Sequence, residues 1–178
     1  YGQSLTKKLR DCTKLKKGAK VFLHPVKNPS SYGVATLNNN KIIRIIEKPK
    51  KTNSNLAVTG LYFFDKNVVK YSKSLKPSKR GELEITDLLN IYLKAGKLKS
   101  EFIGRGGTWL DTGSIEDFYI ATNFVSTVEN RQGLKIACLE EIALKKGWIN
   151  EKNINNSIKF YGKCEYSKYL FNLLKKNK

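Results

Sequence analysis

The chain has 178 residues, 40% of them hydrophobic, with 34 Lys+Arg against 15 Asp+Glu and a formal net charge of +19 at pH 7. That length suits one domain or a large piece of one, with enough apolar residues for a buried core. No apolar run approaches the ~20 residues that a membrane-spanning helix needs, and Tyr1-Gly2-Gln3-Ser4 carries neither an initiator Met nor a signal-peptide pattern, so the start reads as the middle of a protein.

In chain order, residues 5–16 read as a short basic helix opened by Ser4 as N-cap and ended by Gly18. Residues 20–26 read as a strand, 28–31 as a turn, and 32–37 as a second strand. Asn38-Asn39-Asn40 is a hairpin turn leading into a half-buried third strand at 41–47. Pro49 closes that strand and leaves Glu47 and Lys48 side by side at its end. Residues 56–64 are nearly all apolar and predict a strand buried on both faces, in which Gly60 predicts a close approach by another backbone or a ligand.

A short helix at 67–74 and a charged loop at 76–84 follow. The helix at 85–95 presents Ile85, Leu88, Leu89 and Tyr92 on one face and ends at Gly96. A strand at 98–103 feeds the stretch 104–113, which holds four glycines, one aromatic (Trp109) and one carboxylate (Asp111). A lone acid in a glycine-rich strand-to-helix turn can hold a hard cation against phosphate oxygens; it can equally stabilise a tight turn and nothing more. Ser114 caps a long helix with Phe118, Ala121, Val125 and Val128 on one face, and Asp117 makes a near capping box. Helices at 139–146, 150–160 and 165–175 complete the chain. Strands alternating with helices, interrupted by hairpins, predict an α/β layered fold with a mixed sheet.

The excess of positive charge has two competing explanations. One is an anionic partner such as nucleic acid; the other is drift toward AT-rich codons, which raises Lys, Asn and Ile together. Arginine occurs only at Arg10, Arg44, Arg80, Arg105 and Arg131, and no zinc spacing or arginine cluster appears, so drift is favoured and nucleic acid is not an expected partner. Cys12, Cys138 and Cys164 are widely spaced and odd in number, as expected of reduced thiols in a cytoplasmic protein. The single His24 reads as structural and leaves little room for Ser-His-Asp or Cys-His chemistry.

Six segments together carry a resemblance. They are Ser31-Tyr32-Gly33-Val34, Glu47-Lys48-Pro49, Ala57-Val58-Thr59-Gly60-Leu61-Tyr62, the stretch from Lys79 to Asp87, the stretch from Gly104 to Gly113, and Asn130-Arg131-Gln132-Gly133-Leu134-Lys135. In order and spacing the chain resembles the bacterial glucose-1-phosphate thymidylyltransferases, a branch of the sugar nucleotidyltransferases. The resemblance implies a three-layer α/β/α, Rossmann-like nucleotide-diphospho-sugar transferase fold, incomplete at its N-terminus. The family's glycine-rich nucleotide loop and first metal-binding aspartate have no counterpart in these residues. It implies one partial nucleotidyltransferase domain, its sugar-binding part at about 20–130 and a helical part at about 131–178.

Carried over by position, the resemblance implies that Lys48 and Arg80 hold the sugar phosphate and serve catalysis. Tyr32, Gly33, Glu47 and Val58 contact the sugar, and Asp111 is a ligand for Mg2+. A regulatory nucleotide site near Gly104, Arg105, Glu140 and Glu141 is a further implication. The implied partners are dTTP, glucose 1-phosphate and dTDP-glucose, in nucleotide-sugar synthesis of the dTDP-rhamnose type, in a cytoplasmic homotetramer. The alternative to an enzyme is a non-catalytic remnant that binds a sugar phosphate or nucleotide.

Overall fold

The expected alternation of strands and helices is realised, among the described residues, as thirteen segments whose order positions everything that follows. A computed structural model describes residues 1–2 and 5–176 of the chain. Helix α1 (Leu5–Thr13) precedes strand β1 (Ala19–Pro25), a 3-10 turn (Pro29–Ser31), β2 (Gly33–Asn38), β3 (Lys41–Glu47) and β4 (Leu56–Phe64). Then come α2 (Val68–Lys73), α3 (Ile85–Lys94), β5 (Leu98–Phe102), α4 (Ile115–Gln132), α5 (Leu139–Lys145), α6 (Glu151–Tyr161) and α7 (Glu165–Lys176). Two compact units result, Tyr1–Trp109 and Leu110–Lys178, and the division falls inside the glycine-rich stretch.

The first unit is built on a five-stranded mixed sheet in the order β3-β2-β4-β1-β5. β1 pairs antiparallel with β4 and parallel with β5, while β2 pairs antiparallel with both β3 and β4. Successive side chains of a strand point to opposite faces, and β1 shows the outcome. Val21 and Leu23 pack with Leu89 of α3 on one face, and Phe22 packs with Cys12 of α1 on the other. Helix, sheet and helix therefore form three layers within this unit. The β2–β3 hairpin turns at Asn39 and Asn40, both at positive φ (47° and 61°), as a tight two-residue hairpin requires.

One carboxylate ties three distant segments of this unit. Asp65 is 7% exposed and accepts hydrogen bonds from the Gly18 amide (2.7 Å), the Tyr92 hydroxyl (2.9 Å) and the Asn67 amide (2.9 Å). The Gly18 amide is the main cause that holds its pKa down at about 2, with the Tyr92 and Asn67 bonds assisting against burial.

Several expectations are corrected. The first helix stops at Thr13, where the Leu15 amide bonds the Cys12 carbonyl three residues back at 3.1 Å and tightens the last turn. The cap expected at Ser4 lies outside the described residues. Burial of β4 on both faces holds for Ala57, Val58 and Thr59 alone; Leu61 to Phe64 are half-buried. No other backbone makes the close approach expected at Gly60, since a Cβ there would find nothing within 4 Å.

The second unit is helical. Ser114 caps α4 as its spacing predicts, its Oγ accepting the Asp117 amide at 3.0 Å, and Gly133 ends the helix at φ 64°. The expected apolar face of α4 exists as a pattern, yet none of its residues is buried within the described structure. The unit's core is Cys138, Ile154, Leu170 and Leu174, contributed by the residue before α5, by α6 and by α7, with Leu144 of α5 packed against it. Asn150 and Asn153 form a reciprocal capping box at the start of α6. All three cysteines are free thiols. No helix of the described residues is long and apolar enough to cross a membrane.

Candidate functional site

Local chain geometry delivers the predicted residues to one row of the sheet. The 3-10 turn starts with Pro29 and closes with the Tyr32 amide on the Pro29 carbonyl at 3.1 Å, which starts β2 at Gly33. At the end of β3, Lys48 adopts φ 38° and Pro49 follows, so pairing stops at Glu47. The Lys48 amide bonds back to the Tyr32 carbonyl at 3.0 Å and fixes that exit. Gly33 pairs with Glu47, Val34 with Ala57, and Val58 with Leu23. Glu47, Gly33 and Val58 thus stand in one row, on the face covered by α3.

Gly33 is required by its neighbours. A Cβ there would lie 2.7 Å from Thr86 Cγ2, 3.2 Å from Glu47 Oε2 and 3.6 Å from Val58 Cβ. Only bare main chain fits, which lets Thr86 of α3 and Glu47 pack directly against the strand. Arg80 reaches this row from the loop before α3. Its Nη1 is 3.8 Å from Glu47 Oε1 and 3.6 Å from Glu84 Oε1, and its Nη2 is 2.9 Å from Glu82 Oε2. Beside them lies a cleft of about 310 Å³, lined among others by Ile46, Glu47, Ser78, Arg80, Glu84 and Thr86. Burial, helped by the charge of Glu47, pushes the Tyr62 hydroxyl pKa up.

The structure brings together Gly33, Glu47, Val58 and Arg80. Tyr32 sits beside them, its ring edge-on to Trp109 with centroids 5.0 Å apart. Lys48 is next to Glu47 in the chain and its side chain is exposed. His24 lies 6.3 Å from Trp109 between ring centroids, and its buried Nδ1 has no hydrogen-bond partner among the described residues. Burial lowers its pKa, which favours the neutral ring. Sequence reasoning missed Ser78, Glu84 and Thr86. The available signals were weak: Glu84 is the residue that opens α3, and Thr86 is a buried β-branched residue in its first turn.

Asp111 belongs to the second unit and is half-buried. Its carboxylate folds over Gly113, where a Cβ would come within 2.9 Å of Oδ2. Among the described residues no group of three or more His, Cys, Asp or Glu side chains gathers into a metal site. A single carboxylate nevertheless suits magnesium, which keeps water and phosphate oxygens as most of its ligands.

The four residues of the expected regulatory site have local roles as well. Gly104 takes φ 91° and accepts the Gly107 amide at 3.1 Å, and Arg105 is exposed. Glu140 accepts the Tyr166 hydroxyl and Glu141 accepts the Tyr169 hydroxyl, both at 2.5 Å, which fastens α7 to α5. Burial and the bond to Glu141 push the Tyr169 pKa up to about 12.

Comparison with known proteins follows the same line. The family model described as Nucleotidyl transferase matches residues 1–128. The glucose-1-phosphate thymidylyltransferase of Neisseria meningitidis serogroup A is 48% identical over 177 residues, 99% of this chain and 62% of that protein. The enzyme of the same name from Mycobacterium tuberculosis is 40% identical over 178 residues, again 99% of this chain and 62% of the relative. The chain thus spans less than two thirds of the length of these curated relatives. A solved structure from Bacillus anthracis, described as a glucose-1-phosphate thymidylyltransferase in complex with a sucrose, superposes with TM-score 0.61 at 44% identity over 68% of this chain and 49% of that one. A UDP-glucose pyrophosphorylase complexed with UDP-glucose superposes with TM-score 0.56 at 27% identity, covering 68% and 48%.

Proposed function

We propose a function from one premise: the chain belongs to the nucleotidyl transferase family. On our reading it is the sugar-binding part of a glucose-1-phosphate thymidylyltransferase. The whole protein would transfer a nucleotidyl group from dTTP to glucose 1-phosphate, giving dTDP-glucose and pyrophosphate. The observation that carries this reading is the row of Gly33, Glu47 and Val58 with Arg80 held over it. A cation, a hydroxyl acceptor and a bare backbone floor are what a sugar phosphate needs for recognition. The names of the relatives support the thymidylyl donor, and the UDP-glucose complex of a similar fold supports a nucleotide-sugar ligand.

The phosphate oxygen of glucose 1-phosphate forms the new bond to the α-phosphorus of dTTP, and the bond from that phosphorus to the β-phosphate bridge breaks. Pyrophosphate leaves with the electron pair. The nucleophile is already ionised, so no general base is required and His24 need not take part. Arg80 and Lys48 offset the repulsion between two polyanions, while Glu47 accepts a sugar hydroxyl and the Gly33 main chain lets the ring approach. Asp111 is the residue in this chain that would hold Mg2+, the remaining positions going to phosphate and water oxygens. Bound there, the ion would neutralise phosphate charge.

The same reading places the protein in dTDP-rhamnose-type synthesis, as a cytoplasmic homotetramer, with regulation near Gly104, Arg105, Glu140 and Glu141. Pyrophosphate release from dTTP and glucose 1-phosphate by the full-length protein is the test. Arg80→Ala is expected to lower kcat/KM by about 10²–10³, the usual cost of one lost charge-stabilising donor. Asp111→Asn at full rate would remove the metal role. The 178 residues alone are expected to release no pyrophosphate; turnover by them would refute that.

A further inference from the structure

The charged loop before α3 is organised by one hydroxyl. Ser78 Oγ accepts the Arg80 amide at 3.1 Å and donates to Glu84 Oε1 at 2.8 Å. Two main-chain bonds close the same turn, Ser78 amide to Glu82 carbonyl at 2.8 Å and Gly81 amide to Ser78 carbonyl at 2.9 Å, with Gly81 at φ 82°. Glu84 is 8% exposed and occupies the N-cap position of α3, yet its side chain makes no capping bond. It is turned instead toward Ser78 and the Arg80 guanidinium. A buried carboxylate is costly to desolvate unless a charge and hydrogen bonds answer it, and these two residues supply both.

The distances at Nη1 matter. Glu84 and Glu47 stand 3.6 and 3.8 Å away, beyond the reach of an N–H···O hydrogen bond. Charge therefore centres this end of the guanidinium between two carboxylates, and neither acid takes its hydrogens in a short bond. Nη2 is answered separately by Glu82 Oε2 at 2.9 Å, which leaves Nη1 as the end of the guanidinium that these acids do not hold in a short bond.

We propose that Ser78 and Glu84 are positioning residues for Arg80: a hydroxyl and a buried carboxylate that set the guanidinium against Glu47 before a sugar phosphate arrives. The inference rests on the reading in which Arg80 meets the phosphate. Its chemical content is preorganisation, which lowers the ordering cost of binding. It predicts an effect confined to ligands that carry a phosphate.

Calorimetric titration of the full-length protein with glucose 1-phosphate, and separately with glucose, tests this. Ser78→Ala and Glu84→Gln should each weaken glucose 1-phosphate by about tenfold, the worth of one charge-assisted hydrogen bond, and leave glucose unchanged. Ser78→Thr keeps the hydroxyl and should restore the affinity. A merely structural role would weaken both ligands alike. If Arg80→Ala weakens glucose 1-phosphate while Ser78→Ala and Glu84→Gln do not, the positioning role is wrong and the functional reading stands. If Arg80→Ala changes nothing, or the unaltered full-length protein does not bind, the functional reading fails as well.

Discussion

The two units handle apolar surface in opposite ways. In the first, the chain covers its own core: Val21, Phe22, Leu23, Leu89 and Tyr92 are fully buried between sheet and helices. In the second, a small core coexists with large exposed side chains, Ile115 at 92%, Phe118 at 61%, Trp148 at 74% and Phe160 at 84%. Helix α4 has an N-cap, a C-cap and no buried residue. Periodicity shows which face of a helix could be covered; the cover itself has to come from other groups.

That contrast can be broken by four substitutions, each followed by denaturant unfolding and by unit-resolved amide exchange. The largest effect is expected of Leu89→Ala, about 2–5 kcal/mol, because it empties a fully closed core. Exchange should quicken throughout 19–102 and least in the second unit; equal loss in both would mean that they unfold together.

Asp65→Asn comes next, at about 1–3 kcal/mol from the weakened buried network. Its pH dependence is distinctive. The folded pKa is depressed to about 2 from 3.8, so the stabilisation is complete above the unfolded value and lost as pH falls through the folded one. Wild type and variant should therefore converge as pH drops from about 4 to about 2. A constant gap across that window would show that the Asp65 charge does not support the fold.

Ser114→Ala should cost about 1 kcal/mol, the typical worth of an N-cap, visible as faster exchange in the first turn of α4. The smallest effect is expected of Phe118→Ser, within about 0.5 kcal/mol, as for exposed sites generally. A loss from Phe118→Ser approaching that of Leu89→Ala would mean that the face is covered in solution, and the contrast between the units would disappear.

Much of the fold was legible because the pattern is local. Alternation located β3 with its observed bounds, the paired Asn39 and Asn40 marked the hairpin, and Gly133 marked the end of α4. Where long-range packing decides, reading failed. Nothing near Gly60 reveals that its outer side is open, and nothing near Thr13 reveals that α1 ends there. The candidate site divides in the same way. Gly33, Glu47, Val58 and Arg80 were named from the motif resemblance, and their convergence is a matter of register between strands far apart in the chain. Ser78 lies one residue before the motif stretch and Glu84 lies inside it, and neither was singled out because both act through Arg80.

Because residue 33 offers only main chain, buried against Thr86 and Glu47, no side chain can be introduced at that position. Any side chain would strike Thr86 or Glu47 before it could reach a guest. On the proposed reading, a change in which sugar is admitted must therefore come from residues that line the cleft, such as Ile46 and Asn90, and an engineer seeking altered selectivity should vary those and leave Gly33 untouched.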